Sequence, residues 1–109
     1  MYDSYELNPY YHPENRGLEI VAELELLGHY EFDTTVVWRR LSDGALLWAS
    51  DSGCSCPVPF EGYTDDGSLE RLSNWKYFED TVRSRCEGYS YSGDREAFLR
   101  EVRTIFDGE

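Results

Sequence analysis

The chain has 109 residues with 22 acidic and 10 basic side chains, a net charge of −12 at neutral pH. That length provides one modest core and no second one, and an apolar content of 40% with 16% aromatics excludes a disordered acidic polymer. The longest apolar run, Ala45 to Ala49, is far too short for a membrane-spanning helix. Asp3 and Glu6 replace the basic and apolar regions of a signal peptide, so the expected compartment is a reducing cytoplasm in which the thiols stay free.

Residues 1–16 combine Tyr2, Tyr5, Tyr10 and Tyr11 with two prolines and few aliphatics, which predicts an irregular arm ordered by the rest of the domain. From Leu18 the chain alternates. Leu18, Ile20, Ala22, Leu24 and Leu26 fall on one face of a strand and Glu19, Glu23 and Glu25 on the other. Gly28 and His29 read as a turn. Thr34 to Trp38 is a β-branched and aromatic cluster that predicts a second strand. Ser42-Asp43-Gly44 is a hairpin signal, and Ala45 to Ser50 returns as a third strand, with Trp38 and Trp48 placed to face each other across the hairpin.

Asp51 to Gly67 is rich in Gly and Pro and predicts an ordered loop. Beyond it the period becomes helical. Trp75, Phe78, Val82 and Cys86 share one stripe, with a break near Ser73-Asn74 and Ser73 as the cap. Gly88 stops this helix. Asp94 caps a last helix that turns Phe98, Val102, Ile105 and Phe106 inward, supported by a Glu96–Arg100 pair and ended by Gly108. The expected fold is therefore one α+β domain over 1–109: arm 1–16, a three-stranded antiparallel meander within 17–50, a Gly/Pro/Cys loop over 51–67, and two C-terminal helices within 68–109 packed on one sheet face.

The segment Asp51-Ser52-Gly53-Cys54-Ser55-Cys56-Pro57-Val58-Pro59-Phe60-Glu61 admits four readings. Cys54 and Cys56 with Cys86 and either His12 or His29 would complete a Cys₃His zinc set, although Cys-x-Cys is tighter than the usual spacing and Cys86 lies on an apolar stripe. A redox pair is the second, opposed by Asp51 and Glu61, which would raise the thiol pKa values. A Ser52 nucleophile is the third, but no Ser–His or Cys–His pairing stands at an informative spacing. The fourth is a rigid turn in which Gly53 bends the chain, Pro57 and Pro59 fix it and Phe60 pins it to the core. The turn reading needs no chemistry and takes precedence, with the loop as a candidate presented surface. No catalytic residue, metal or cofactor is assigned. No phosphate-binding glycine loop, dinucleotide fingerprint or His-Glu-x-x-His occurs.

The runs Gly17-Leu18-Glu19…Val21-Ala22-Glu23 and Tyr30-Glu31-Phe32-Asp33…Val36-Val37-Trp38, and above all Asp51-Ser52-Gly53-Cys54-Ser55-Cys56-Pro57…Pro59-Phe60-Glu61, resemble small acidic proteins encoded by bacteriophages of actinobacteria. The resemblance covers roughly 17–62. It implies a phage product acting in a bacterial host cytoplasm, and it transfers no catalytic or binding residue.

The charge is uneven. Residues 1–70 carry 14 acidic side chains against Arg16, Arg39 and Arg40, a net of −11, while 71–109 are nearly neutral. Such a surface repels nucleic-acid backbones and anionic lipid and is attracted to basic protein surfaces. The expected function is non-enzymatic binding of a host or phage protein, in one version by masking a basic, nucleic-acid-binding groove. The competing class is a metal- or thiol-dependent regulator or enzyme built on Cys54 and Cys56. The expected docking face is the row Glu19, Glu23 and Glu25, extended by Asp51, Glu61, Asp65 and Asp66 at the end of the sheet.

Overall fold

A computed structural model describes residues 6–26, 31–54, 59–60, 63, 66–87 and 93–108. Strands β1 (Leu18–Glu25), β2 (Glu31–Arg40), β3 (Leu46–Cys54) and β4 (Glu70–Arg71) form one antiparallel sheet in the order β1-β2-β3-β4, followed by helices α1 (Trp75–Arg85) and α2 (Gly93–Asp107). The α+β class, the meander and the two helices follow the expectation from sequence. The fourth strand is an addition, only two residues long.

The turn between β2 and β3 is built by Asp43. Its carboxylate accepts two hydrogen bonds from the Arg40 guanidinium, at 3.0 and 2.8 Å, and one from the Ala45 N–H at 3.0 Å. These contacts, the Arg40 bond foremost, hold the Asp43 carboxyl well below the usual range. Gly44 takes a positive φ of 76°, which closes the turn without a Cβ clash.

Five expectations are corrected. The third strand does not stop at Ser50. It runs on through Asp51, Ser52 and Gly53 to Cys54, paired with Thr34, Asp33, Phe32 and Glu31. Gly53 is a strand residue opposite Phe32, and a Cβ there would stand 3.2 Å from the Phe32 ring. The glycine seats an aromatic ring rather than bending the chain. Asn74, not Ser73, caps α1: its side chain accepts the Tyr77 N–H at 3.0 Å. Asp94 lies inside the first turn of α2 rather than before it, and Glu96 pairs with Arg83 and Arg95, away from the expected partner Arg100. Gly28, His29, Ser55, Cys56, Pro57, Glu61, Asp65 and Gly88 lie outside the described residues.

The sheet is buried on both faces. On the helix side, Ala22, Leu24, Val37, Leu46 and Trp48 pack with Leu72, Phe78, Val82, Cys86, Phe98, Leu99 and Val102. On the other side, Leu18, Val36, Trp38, Leu47 and Ala49 pack with Phe60 and Leu69, flanked by Tyr10, Ile20 and Tyr63. Trp38 pairs with Leu47 and Trp48 with Val37, so the two tryptophans occupy opposite faces and do not meet. Each anchors its own layer.

One irregularity in β1 decides which side chain goes where. Ile20 is opposite Trp38 but Ala22 is opposite Val37, so Val21 is an extra residue in the strand. Val21 and Ala22 both join the helix-side core. The alternation is thereby shifted by one: Leu18 and Ile20 belong to the far side, Ala22 and Leu24 to the helix side. The expectation of five apolar residues on one face is corrected accordingly.

Candidate protein-interaction surface

The second face of the sheet is covered by chain with little regular structure, and polar side chains hold it there. Asn8 is buried, and its carboxamide oxygen accepts the N–H groups of Tyr10 at 2.7 Å and Tyr11 at 3.1 Å. Its amide donates to the carbonyl of Pro59 at 3.0 Å, tying the arm to the segment after β3. The Trp38 indole donates to the Pro9 carbonyl at 2.9 Å, and Arg16 donates to the carbonyls of Leu7 and Tyr63 at 3.0 and 2.6 Å. Residues 6–16 of the arm are thus an ordered layer of the domain.

Phe60 is the plug of this layer. It is fully buried at a φ of 61°, a left-handed backbone conformation that a bulky residue rarely adopts and that costs about 1–2 kcal/mol. Edge-on contacts with Trp38 and Tyr63, at centroid distances of 5.5 and 5.2 Å, offset that cost. The Asp51 carboxylate accepts the Phe60 N–H at 2.8 Å and fixes the turn. Phe60 therefore fills the core, as the turn reading expects, and is not a presented contact. Burial, followed by the Asp51 charge, pushes the Tyr63 hydroxyl pKa up.

The acidic row expected on β1 is divided by the extra residue. Glu19 lies opposite Arg39, whereas Glu23 and Glu25 lie opposite Val36 and Thr34, on the other side of the sheet. Glu23 accepts the Tyr10 hydroxyl of the arm. Burial and this bond to a carboxylate raise the Tyr10 pKa. Glu25 accepts the Asp33 N–H at 2.9 Å and the Thr34 hydroxyl, so it braces the start of β2. Two of the three glutamates are internal acceptors, and the three do not form one face.

The first residues of the expected loop, Asp51 to Cys54, instead extend a sheet edge. β4 pairs only with Leu47 and Trp48, so its ladder ends where the Asp51–Gly53 segment is about to begin. The Leu46 carbonyl bonds the Leu72 N–H and the Ser50 carbonyl accepts the Tyr63 hydroxyl at 3.1 Å, which sets the even-numbered residues of β3 facing outward. Ser52 continues that series and is solvent-exposed. Beside this edge lies a cleft of about 260 Å³ lined by Trp48, Ser50, Tyr63, Glu70, Thr81 and Arg85. Arg85 is held at 2.6 Å by Asp33 of β2, opposite Ser52.

In the helical half, four of the seven cations pair with carboxylates of the same half. Arg83 bonds Glu96 at 2.7 Å and approaches Glu79 at 3.6 Å, Arg95 bonds Glu96 at 2.8 Å, Lys76 bonds Asp80 at 3.1 Å and Arg103 bonds Asp107 at 3.0 Å. Arg83 first, then Arg95, brings the Glu96 pKa down to about 2. Cys86 is a buried member of the helix-side core, where desolvation raises its thiol pKa, so it serves as a small apolar residue. Sequence reasoning passed over Asn8, Tyr63 and Arg85. The Asn8-Pro9 dipeptide is a local turn signal that could have found the first, whereas the Arg85–Asp33 pair joins residues 52 positions apart and leaves no local trace.

A small acidic α+β domain, its four-stranded meander closed by helices on one face and by an N-terminal arm on the other, is the class these features define. The chain belongs to the family described as a domain of unknown function, DUF7574, whose model matches residues 7–107. The match spans arm, sheet and both helices. No curated protein and no solved structure is significantly similar to the chain.

Proposed function

We propose that this protein is a non-enzymatic accessory protein that works by binding the basic surface of another protein, and that it does so as a phage product in an actinobacterial cytoplasm. The observation that carries the reading is the segregation of charge. Lys76, Arg83, Arg95 and Arg103 are matched by carboxylates of the two helices themselves. Arg85 is taken by Asp33, so the net −11 of residues 1–70 is reduced by one and remains strongly negative. A field of one sign steers a partner of the other sign and repels nucleic acid. The resemblance of residues 17–62 to small acidic phage proteins supports the cellular setting.

The test is ionic strength. A partner captured from an actinobacterial lysate should associate about 10- to 100-fold more slowly at high than at low salt, because long-range attraction is screened. An association rate indifferent to salt refutes the reading.

A further inference from the structure

We propose that the outer edge of β3 around Ser52 takes an extended, lysine- or arginine-bearing segment of the partner as an added strand. This inference rests on the charge reading above and gives it a place and a geometry. β4 occupies the edge only at Leu47 and Trp48. Two residues further along, Ser50 still faces outward, as the bond from Tyr63 to its carbonyl establishes. With Tyr63 holding that carbonyl, the pairing centres on Ser52, whose N–H and C=O both face the open side and whose side chain is exposed.

Sheet edges are commonly blunted by lysine, proline or a bulge. From Ala49 to Gly53 the strand has neither Lys nor Pro, and its pairing with β2 runs without a register shift. Its one charged side chain, Asp51, is engaged with the Phe60 N–H and does not guard the edge. An added strand would continue the line of β4 along the cleft of about 260 Å³ bounded by Tyr63, Glu70, Thr81 and Arg85. Main-chain hydrogen bonds supply the affinity in such pairing, and alternate side chains supply the selectivity.

Charge selects the occupant. The exposed Glu70 stands at the end of β4 beside the cleft, and Arg85 in its wall is already neutralised by Asp33. A second copy of this chain would bring another −12 to the same edge. A cationic extended segment is attracted.

The experiment is calorimetric titration of the full chain with an end-capped peptide of alternating Lys and Thr, alongside the same peptide N-methylated at every residue, so that neither edge of the strand keeps its donors. N-methylation deletes peptide donors and leaves the charge untouched. The unmodified peptide should bind with steep salt dependence, and the methylated one about tenfold or more weakly, the loss expected from one or two pairing bonds. S52P, which removes an N–H facing solvent rather than β2, should lose a similar factor while the salt slope persists. Hydrogen exchange at the Ser52 amide should slow in the complex. Equal binding of the two peptides overturns strand addition and leaves the charge reading standing, and it decides the matter even if S52P does not fold. Binding indifferent to salt overturns the charge reading, and no binding of either peptide at low salt overturns both. Self-association of the wild type that S52P abolishes assigns the edge to a second copy and also overturns the proposal.

Discussion

Replacing Asn8 by Ala tests whether the arm is a stabilising layer or a passive cover. The carboxamide makes three bonds, to the N–H groups of Tyr10 and Tyr11 and to the Pro59 carbonyl, from a nearly fully buried position. Alanine leaves all three backbone groups without that partner. Each such loss costs about 1–3 kcal/mol when the group stays buried. Tyr11 is exposed and its N–H can be taken up by water, which places the total in the lower part of the range, at about 2–3 kcal/mol. With an unfolding entropy of roughly 2.1 cal/mol/K per residue, that loss lowers Tm by roughly 9–13 °C in a chain of 109 residues. A domain with about 5–15 kcal/mol of stability survives it, so the variant is measurable in the folded state. Thermal and urea unfolding give the size, and hydrogen exchange of the Trp38 indole N–H, which is bonded to Pro9, reports on the arm itself. A Tm within about 2 °C of wild type, with the indole still protected, would refute the argument that these bonds seat the second layer.

Glu25→Ala strands the Asp33 N–H and should cost about 1–2 kcal/mol in urea unfolding, whereas Glu25→Gln should recover most of it because the Thr34 hydroxyl can reverse its role. Glu19→Ala should stay within about 0.5 kcal/mol, since Glu19 is an exposed side chain; equal losses at the two positions would contradict the divided strand. Glu96, with its pKa brought down to about 2 by Arg83 and Arg95, stabilises the folded state at pH values above its unfolded pKa. That contribution fades as pH falls from about 4.3 toward 2, so the wild type should lose stability over this window more steeply than Glu96→Gln.

The strands were legible because two strong signals agreed. Alternation marked β1, and β-branched and aromatic residues marked β2. The helical stripe Trp75, Phe78, Val82 and Cys86 was legible for the same reason, and the residues pack together in the helix-side core. The extra residue in β1 was not legible. Leu18 to Leu26 reads equally well as a clean alternation, and only the pairing with β2 shows that Val21 is inserted. β4 spans two residues, below the length at which any periodicity exists. Gly53 misled because glycine has two uses. It frees a turn, and it also leaves room for a neighbour, which here is the Phe32 ring.

The candidate surface was harder to read than the fold because its position depends on parity. Moving one residue in β1 sends Glu23 and Glu25 to the arm side, where they hold Tyr10 and the start of β2, and leaves Glu19 opposite Arg39. A row of carboxylates that looks like a docking face in one dimension is split between the two sides of the sheet in three, and two of its members brace neighbouring chain. The opposite happened to Asp51, Ser52 and Gly53. Their composition suggests a loop, yet β2 begins at Glu31, early enough to pair with β3 as far as Cys54. A loop would have offered side chains to a partner. A strand that outruns β4 offers backbone donors and acceptors in a fixed direction, and selectivity at such an edge comes from the charges beside it.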